Sequence, residues 1–179
     1  MQTEEFSRPM QVGQLRRGET EATFEASAEE CAALAKRMGI AACRSLSARL
    51  TFRVSGDGRR VTGTGRLTAR VVQTCVVTLA PVEQAIDVPV SLLFLDESLL
   101  AEDRDVEDVA AGDDDPIADP IRGGRFDPGA VLAEHLALAL DPYPRAEGAR
   151  LDAPAAAPDE EVSGPFAALS ALKDGENSR

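Results

Sequence analysis

The chain has 179 residues, 44% of them hydrophobic, which sets it in the range of one domain with a real core plus extra segments. Aromatic residues make up 4%, with no Trp and one Tyr, which excludes a base-stacking platform. The net charge of −12 excludes a protein that is a nucleic-acid binder by overall charge. That charge is uneven: residues 1–95 sum to +2, 96–125 to −8 and 126–179 to −6. The first half is mildly basic, and the acid belongs to a loop and a tail. Such asymmetry fits a partner-binding half beside an acidic segment, and equally acidic loops that keep a small protein in solution.

In chain order, Glu4 to Val12 reads as a short extended segment ended by Gly13. Thr20, Ala22, Phe24 and Ala26 then alternate with Glu19, Glu21, Thr23 and Glu25, the period of a half-buried strand. Ser27 and Glu30 form a capping-box pair that opens a helix over about Ala28 to Met38. Cys31, Leu34, Ala35 and Met38 give this helix one apolar stripe, and Gly39 ends it. Cys31 therefore reads as core.

A long hairpin follows. Leu46, Ala48, Leu50, Phe52 and Val54 alternate with polar residues, the turn is Ser55-Gly56-Asp57-Gly58, and the return strand carries Val61, Gly63, Gly65, Leu67, Ala69 and Val71. Gly63 and Gly65 on an apolar face imply a bend or a close backbone approach. The third long strand runs from about Glu83 to Leu95, and Pro89 in it implies an edge or a bulge. Residues 96–125, with Asp113-Asp114-Asp115, read as a solvated, mobile acidic loop. Asp127 caps a second helix that has Pro128 at its first turn and runs to about Leu140, where Pro142 and Pro144 stop it. Residues 146–179 are rich in Ala, Pro and acid and read as a disordered tail, with a possible short docking helix at 165–173. The expected fold is α+β: an antiparallel sheet, open or strongly curled, with two main helices on its apolar face and an Arg/Thr face left wet.

Little here suggests catalysis. His135 is the single histidine and has no partner for a triad or a zinc site. The three aspartates lack the spacing of a calcium loop, and Gly123-Gly124 lacks the Lys-Ser/Thr of a phosphate loop. Cys31, Cys43 and Cys75 form neither a disulfide framework nor a metal set. The expectation is a protein that is not an enzyme and needs no cofactor, metal or small-molecule substrate. No apolar run is long enough to span a membrane and Met1 to Arg8 is polar, so the expected setting is the cytoplasm.

One constellation is positive. Arg49, Arg53, Arg66 and Arg70 share the polar face of the hairpin, Arg59 and Arg60 sit past its tip, and Thr51, Thr64 and Thr68 lie between. Guanidinium forks and hydroxyls suit phosphate oxygens, and they also suit an ordinary solvated strand surface.

Three further segments carry a resemblance: Gln73 to Leu79 (QTCVVTL), Gly123 to Gly129 (GGRFDPG) leading to Glu134, and Leu138 to Arg145 (LALDPYPR). Over about Phe6 to Arg145 the chain resembles the YceD family of large ribosomal RNA subunit accumulation proteins, and PFAALSALK at 165–173 is similar to the tail of one branch. The resemblance implies a single domain over 1–145 and a role in producing or keeping large-subunit (23S) ribosomal RNA. It carries over motif positions Cys75, Thr78, Leu79, Asp127, Glu134, Asp141, Pro142, Tyr143 and Pro144, without catalytic roles. Many members have a second cysteine where this chain has Thr78, so Cys75 reads as packing at a strand end rather than as a metal ligand. The implied partner is ribosomal RNA or, alternatively, a basic ribosomal or processing protein held without RNA contact.

Overall fold

The computed structural model describes residues 5–15, 18–104 and 117–150, with residues 101–104 described by backbone alone. The chain divides into a compact unit Met1–Glu147 and a second unit Gly148–Arg179. Of the expected disordered tail, residues 146–150 are described, and residues 151–179, with the helix at 165–173, lie outside the described residues.

The elements are β1 (Met10–Gln11), a short 3-10 turn (Val12–Gln14), β2 (Glu19–Glu25), α1 (Ala28–Met38), β3 (Ala42–Val54), β4 (Arg60–Thr74), β5 (Pro81–Asp96), α2 (Glu97–Arg104), β6 (Ala118–Ile121), β7 (Arg125–Phe126) and α3 (Pro128–Ala139). The main sheet has the order β2-β3-β4-β5-β6, and β1 pairs with β7 in a small second sheet.

The long strands follow the period-two pattern. Leu46, Ala48, Leu50 and Phe52 on β3 face inward, as do Val61, Leu67, Ala69 and Val71 on β4. Together with Phe24, Ile86, Val90, Leu92 and Phe94 they meet Cys31 and Leu34 of α1 and Leu132 and Leu136 of α3 in one core. Both glycines of β4 mark close approaches. A Cβ on Gly63 would stand 2.7 Å from the Phe52 ring, and one on Gly65 would stand 1.9 Å from the Arg49 carbonyl oxygen. Pro89 causes no register break against β4, and β6 covers β5 only from Leu93 onward. Among the described residues, the missing amide of Pro89 therefore falls on an uncovered edge.

Capping fixes the helix starts. Ser27 accepts the Glu30 amide at 3.2 Å, while the Glu30 carboxylate accepts the Ser27 amide at 2.7 Å. Gly39 ends α1 with φ 65°. The N-terminal segment is bolted across both helices. Arg8 reaches Glu30 through two bonds of 2.6 and 2.8 Å and lies 4.4 Å from the Phe6 ring centroid. The bonds to Arg8, above all, hold the Glu30 carboxyl down at about 2. The backbone of Phe6 and Arg8 passes so close to Gly129 that a Cβ there would stand 2.8 Å from both.

Three expectations need correction. The sheet is mixed rather than antiparallel, because β6 runs parallel to β5. It is an open five-stranded sheet rather than a strongly curled one. The acidic stretch 96–125 is not one loop: α2 opens it, and β6 and β7 close it. Asp96 starts α2 by accepting the Ser98 amide at 3.2 Å, a cap that the high charge of the segment obscured. A parallel strand needs a crossover. The four residues of β6, Ala-Asp-Pro-Ile, bury only Ile121 and carry no legible strand period. Residues 105–116, including Asp113 to Asp115, lie outside the described residues.

Candidate functional site

The sequence-predicted arginines do share a face. Arg49, Arg53, Arg66 and Arg70 are exposed on β3 and β4, and Arg49 stands directly opposite Arg66 in the register. Arg49 and Arg66 line a shallow depression of 510 Å³ together with Ser47, Thr51, Thr64 and Thr68, and it also touches Thr23, Glu25 and Asp87. Ser47 and Thr68 join hydroxyls at 2.8 Å.

The flanking strands contribute acid that the hairpin alone does not reveal. Arg53 is paired with Glu19 of β2, Arg66 with Asp87 of β5 at 2.8 Å, and Arg44 with Glu83 at 2.9 Å. Glu21 and Glu25 extend the acidic border on β2. Arg59 leaves the face, donating to the Ser98 hydroxyl at 2.6 Å. Among the described residues, Arg49, Arg60 and Arg70 have no carboxylate in ion-pair range. The face is thus close to charge balance at its borders, with unneutralised guanidinium groups along its middle.

The motif residues lie elsewhere, in two groups. In the first, Cys75 to Leu79 and Asp141 to Pro144, far apart in sequence, close on one another. The Val76 amide donates to the Pro144 carbonyl at 2.9 Å. Gln73 Nε2 donates to the Asp141 carbonyl at 2.9 Å, and Asp141 Oδ1 accepts the Tyr143 amide at 2.9 Å. Cys75 is fully buried, and its Sγ accepts the amides of Ala146 (3.3 Å), Val77 and Thr78 (3.4 Å each). The Ala146 amide, then the Thr78 hydroxyl and amide, then the Val77 amide bring the thiol down to about 6 against the opposing effect of burial. Cys75 follows the end of β4, as expected, and it is also the acceptor around which the turn is built. Leu79 holds φ 62°, and Val76, Leu79, Leu138 and Tyr143 remain exposed around the junction.

In the second group, Asp127 caps α3 through the amides of Gly129 (2.9 Å) and Ala130 (3.2 Å). It also accepts the Arg8 amide at 2.7 Å and the Ser7 hydroxyl. Beside it opens a cleft of 370 Å³ with Phe94, Phe126 and Val131 at its base and Asp119, Arg122, Arg125 and Glu134 around it. Burial, then the charge of Glu134, raises the Asp119 carboxyl above its ordinary value, with His135 acting the other way. Asp119 and Arg122 escaped the sequence reading because β6, which carries the first, did. A carboxylate flanked by alternating Ala and Pro before a buried Ile was the only signal. Among the described residues, no three His, Cys, Asp or Glu side chains gather as a metal site.

Fold and surface define the class: a small α+β protein with an open mixed sheet, whose polar groups are displayed on faces and shallow clefts. The model of the family described as "Large ribosomal RNA subunit accumulation protein YceD" matches residues 63–173, more than half of the chain, and the chain belongs to that family. The match takes in β4 from Gly63 onward, β5, α2, β6, β7 and α3, while β1 to β3 and α1 precede it. No curated protein and no solved structure matches. The family name places its members in large ribosomal RNA subunit accumulation, that is, in ribosome biogenesis. Among the described residues, no helix is long and apolar enough to cross a membrane.

Proposed function

We propose that this chain supports the accumulation of 23S ribosomal RNA in the cytoplasm by binding, without catalysis, and that the middle of its sheet face touches RNA phosphates. The observation carrying this reading is the Arg49–Arg66 register pair with hydroxyls around it, and Arg70 four residues further along β4 on the same face. Like charges directly opposite on a sheet are destabilising, and Asp87 offsets only the Arg66 member of the pair, which leaves Arg49 without an anion. A phosphate oxygen bridging two guanidinium forks supplies that anion. The acidic borders then restrict the approach of RNA to the central stripe.

A second reading has its own support. Arg44, Arg53 and Arg66 are already paired, and the family match begins at residue 63, beyond Arg49, Arg53, Arg59 and Arg60. In this reading the chain holds a basic ribosomal or processing protein, and its effect on RNA is indirect.

Complementation of a deletion strain separates the two. Arg49→Gln with Arg70→Gln leaves every observed ion pair intact, so the folded variant should accumulate in cells while large-subunit RNA falls. Full restoration of RNA levels by that variant would remove the sheet face from the mechanism and leave the protein-binding reading.

A further inference from the structure

We propose that the cleft between β6 and α3 is a docking site for a lysine or arginine side chain presented by a basic protein segment. The inference goes beyond the RNA-binding face and does not depend on it.

Two requirements of such a side chain are met together. Its aliphatic stem needs apolar surface, and Pro9, Pro120, Ala130 and Val131 provide it, beside the buried rings of Phe94 and Phe126. Its charged head needs carboxylates that are not already engaged. The Asp127 carboxylate is spent on the α3 cap and on Ser7 and Arg8. Asp119 and Glu134 have no ion-pair partner among the described residues.

The cations of the cleft do not cancel them. Arg122 is held by Glu97 at 2.9 Å. Arg125 alone stands unpaired against the two carboxylates, which leaves the cleft net negative. The half-buried Asp119 carboxyl is pushed up by burial and by Glu134 with only His135 in opposition, so it lacks a counter-charge. A guanidinium or ammonium seated there relieves both effects. At 370 Å³ the cleft suits one long side chain rather than a folded partner surface. A chain of net charge −12 also draws basic segments toward it at long range.

The probe is a fluorescein-labelled arginine-rich dodecapeptide, compared with the same peptide carrying neutral citrulline at each arginine. Fluorescence anisotropy with the full chain should show saturable binding of the arginine peptide and loss of at least ~10-fold in affinity for the citrulline peptide. Asp119→Asn with Glu134→Gln should weaken the arginine peptide by a similar factor. Glu21→Gln with Glu25→Gln removes the same charge from the sheet face and should change affinity less than about twofold. Glu134 is exposed, so Glu134→Gln alone keeps the test open if Asp119→Asn does not fold. Absence of saturable binding would overturn the proposal, as would equal binding of the citrulline peptide or equal loss in the sheet-face control. Weakening by Arg125→Ala in place of the carboxylate variants would mark an anion site and overturn it too.

Discussion

Replacing Asp127 with alanine tests how the N-terminal segment, α3 and the cleft beside them are held together. The side chain makes four contacts: the amides of Gly129 and Ala130 inside the helix, and the amide of Arg8 and hydroxyl of Ser7 from the opposite end of the chain. Loss of an N-cap costs about 1 kcal/mol. Each remaining bond has an ionised acceptor and is partly buried, and is worth about 1 kcal/mol or somewhat more. Asp127→Ala should therefore lower stability by roughly 2–4 kcal/mol, and Ser7→Ala by about 1 kcal/mol. Because the two residues share one bond, adding Ser7→Ala to Asp127→Ala should cost almost nothing further. Asp127→Asn keeps an acceptor for the helix and should fall between wild type and alanine. Urea denaturation at unchanged slope gives these values. A loss below about 1 kcal/mol for Asp127→Ala would show that the residue is an ordinary exposed cap and that the clasp carries no energy.

Three other outcomes follow from the geometry. Gly65→Ala drives a Cβ into the Arg49 carbonyl and should cost about 3 kcal/mol or more, whereas Gly63→Ala meets a ring edge that can shift and should cost less; equal losses in urea titrations would contradict this. Glu30, held at about 2 by Arg8, adds stability that is complete above its unfolded value, near 4.5, and is lost as pH falls toward 2. Thermal melts of wild type should therefore decline across that window, and those of Arg8→Met should decline less. Cys75, in a Cys31→Ala and Cys43→Ala background, should ionise near pH 6 by thiolate absorbance, and a midpoint near the ordinary thiol value of about 8.5 would contradict the three-amide nest.

The hairpin and the two flanking helices were legible because each has a strong local cause. The alternation along Leu46–Val54 and Val61–Val71 leaves one face for a core, and Ser27–Glu30 and Asp127–Pro128 mark helix starts whose bonds form as the sequence implies. What escaped depends on distant chain. The α2 cap at Asp96 was masked by the acid around it, and β6 is defined by its pairing with the edge of β5 beyond Pro89. The arginine face illustrates the same limit. Strand parity placed its members correctly on one side, but the neutralisation of Arg53 by Glu19 and of Arg66 by Asp87 comes from neighbouring strands. The cleft at Asp119 required both a parallel strand and a helix to meet, and no local pattern announces that meeting.

The central claim is that the middle of the sheet face binds RNA phosphates, and the salt dependence of binding measures it most directly. Affinity of the purified chain for fragments of large-subunit RNA, followed from low to moderate salt, should fall with a log–log slope of roughly −2, as about three neutralised phosphates require on single-stranded RNA. Arg49→Gln with Arg70→Gln should bring that slope to about −0.7, the share of the one contact that remains, while leaving thermal stability nearly unchanged. Salt-insensitive binding, or a slope that the double variant leaves intact, would contradict the account.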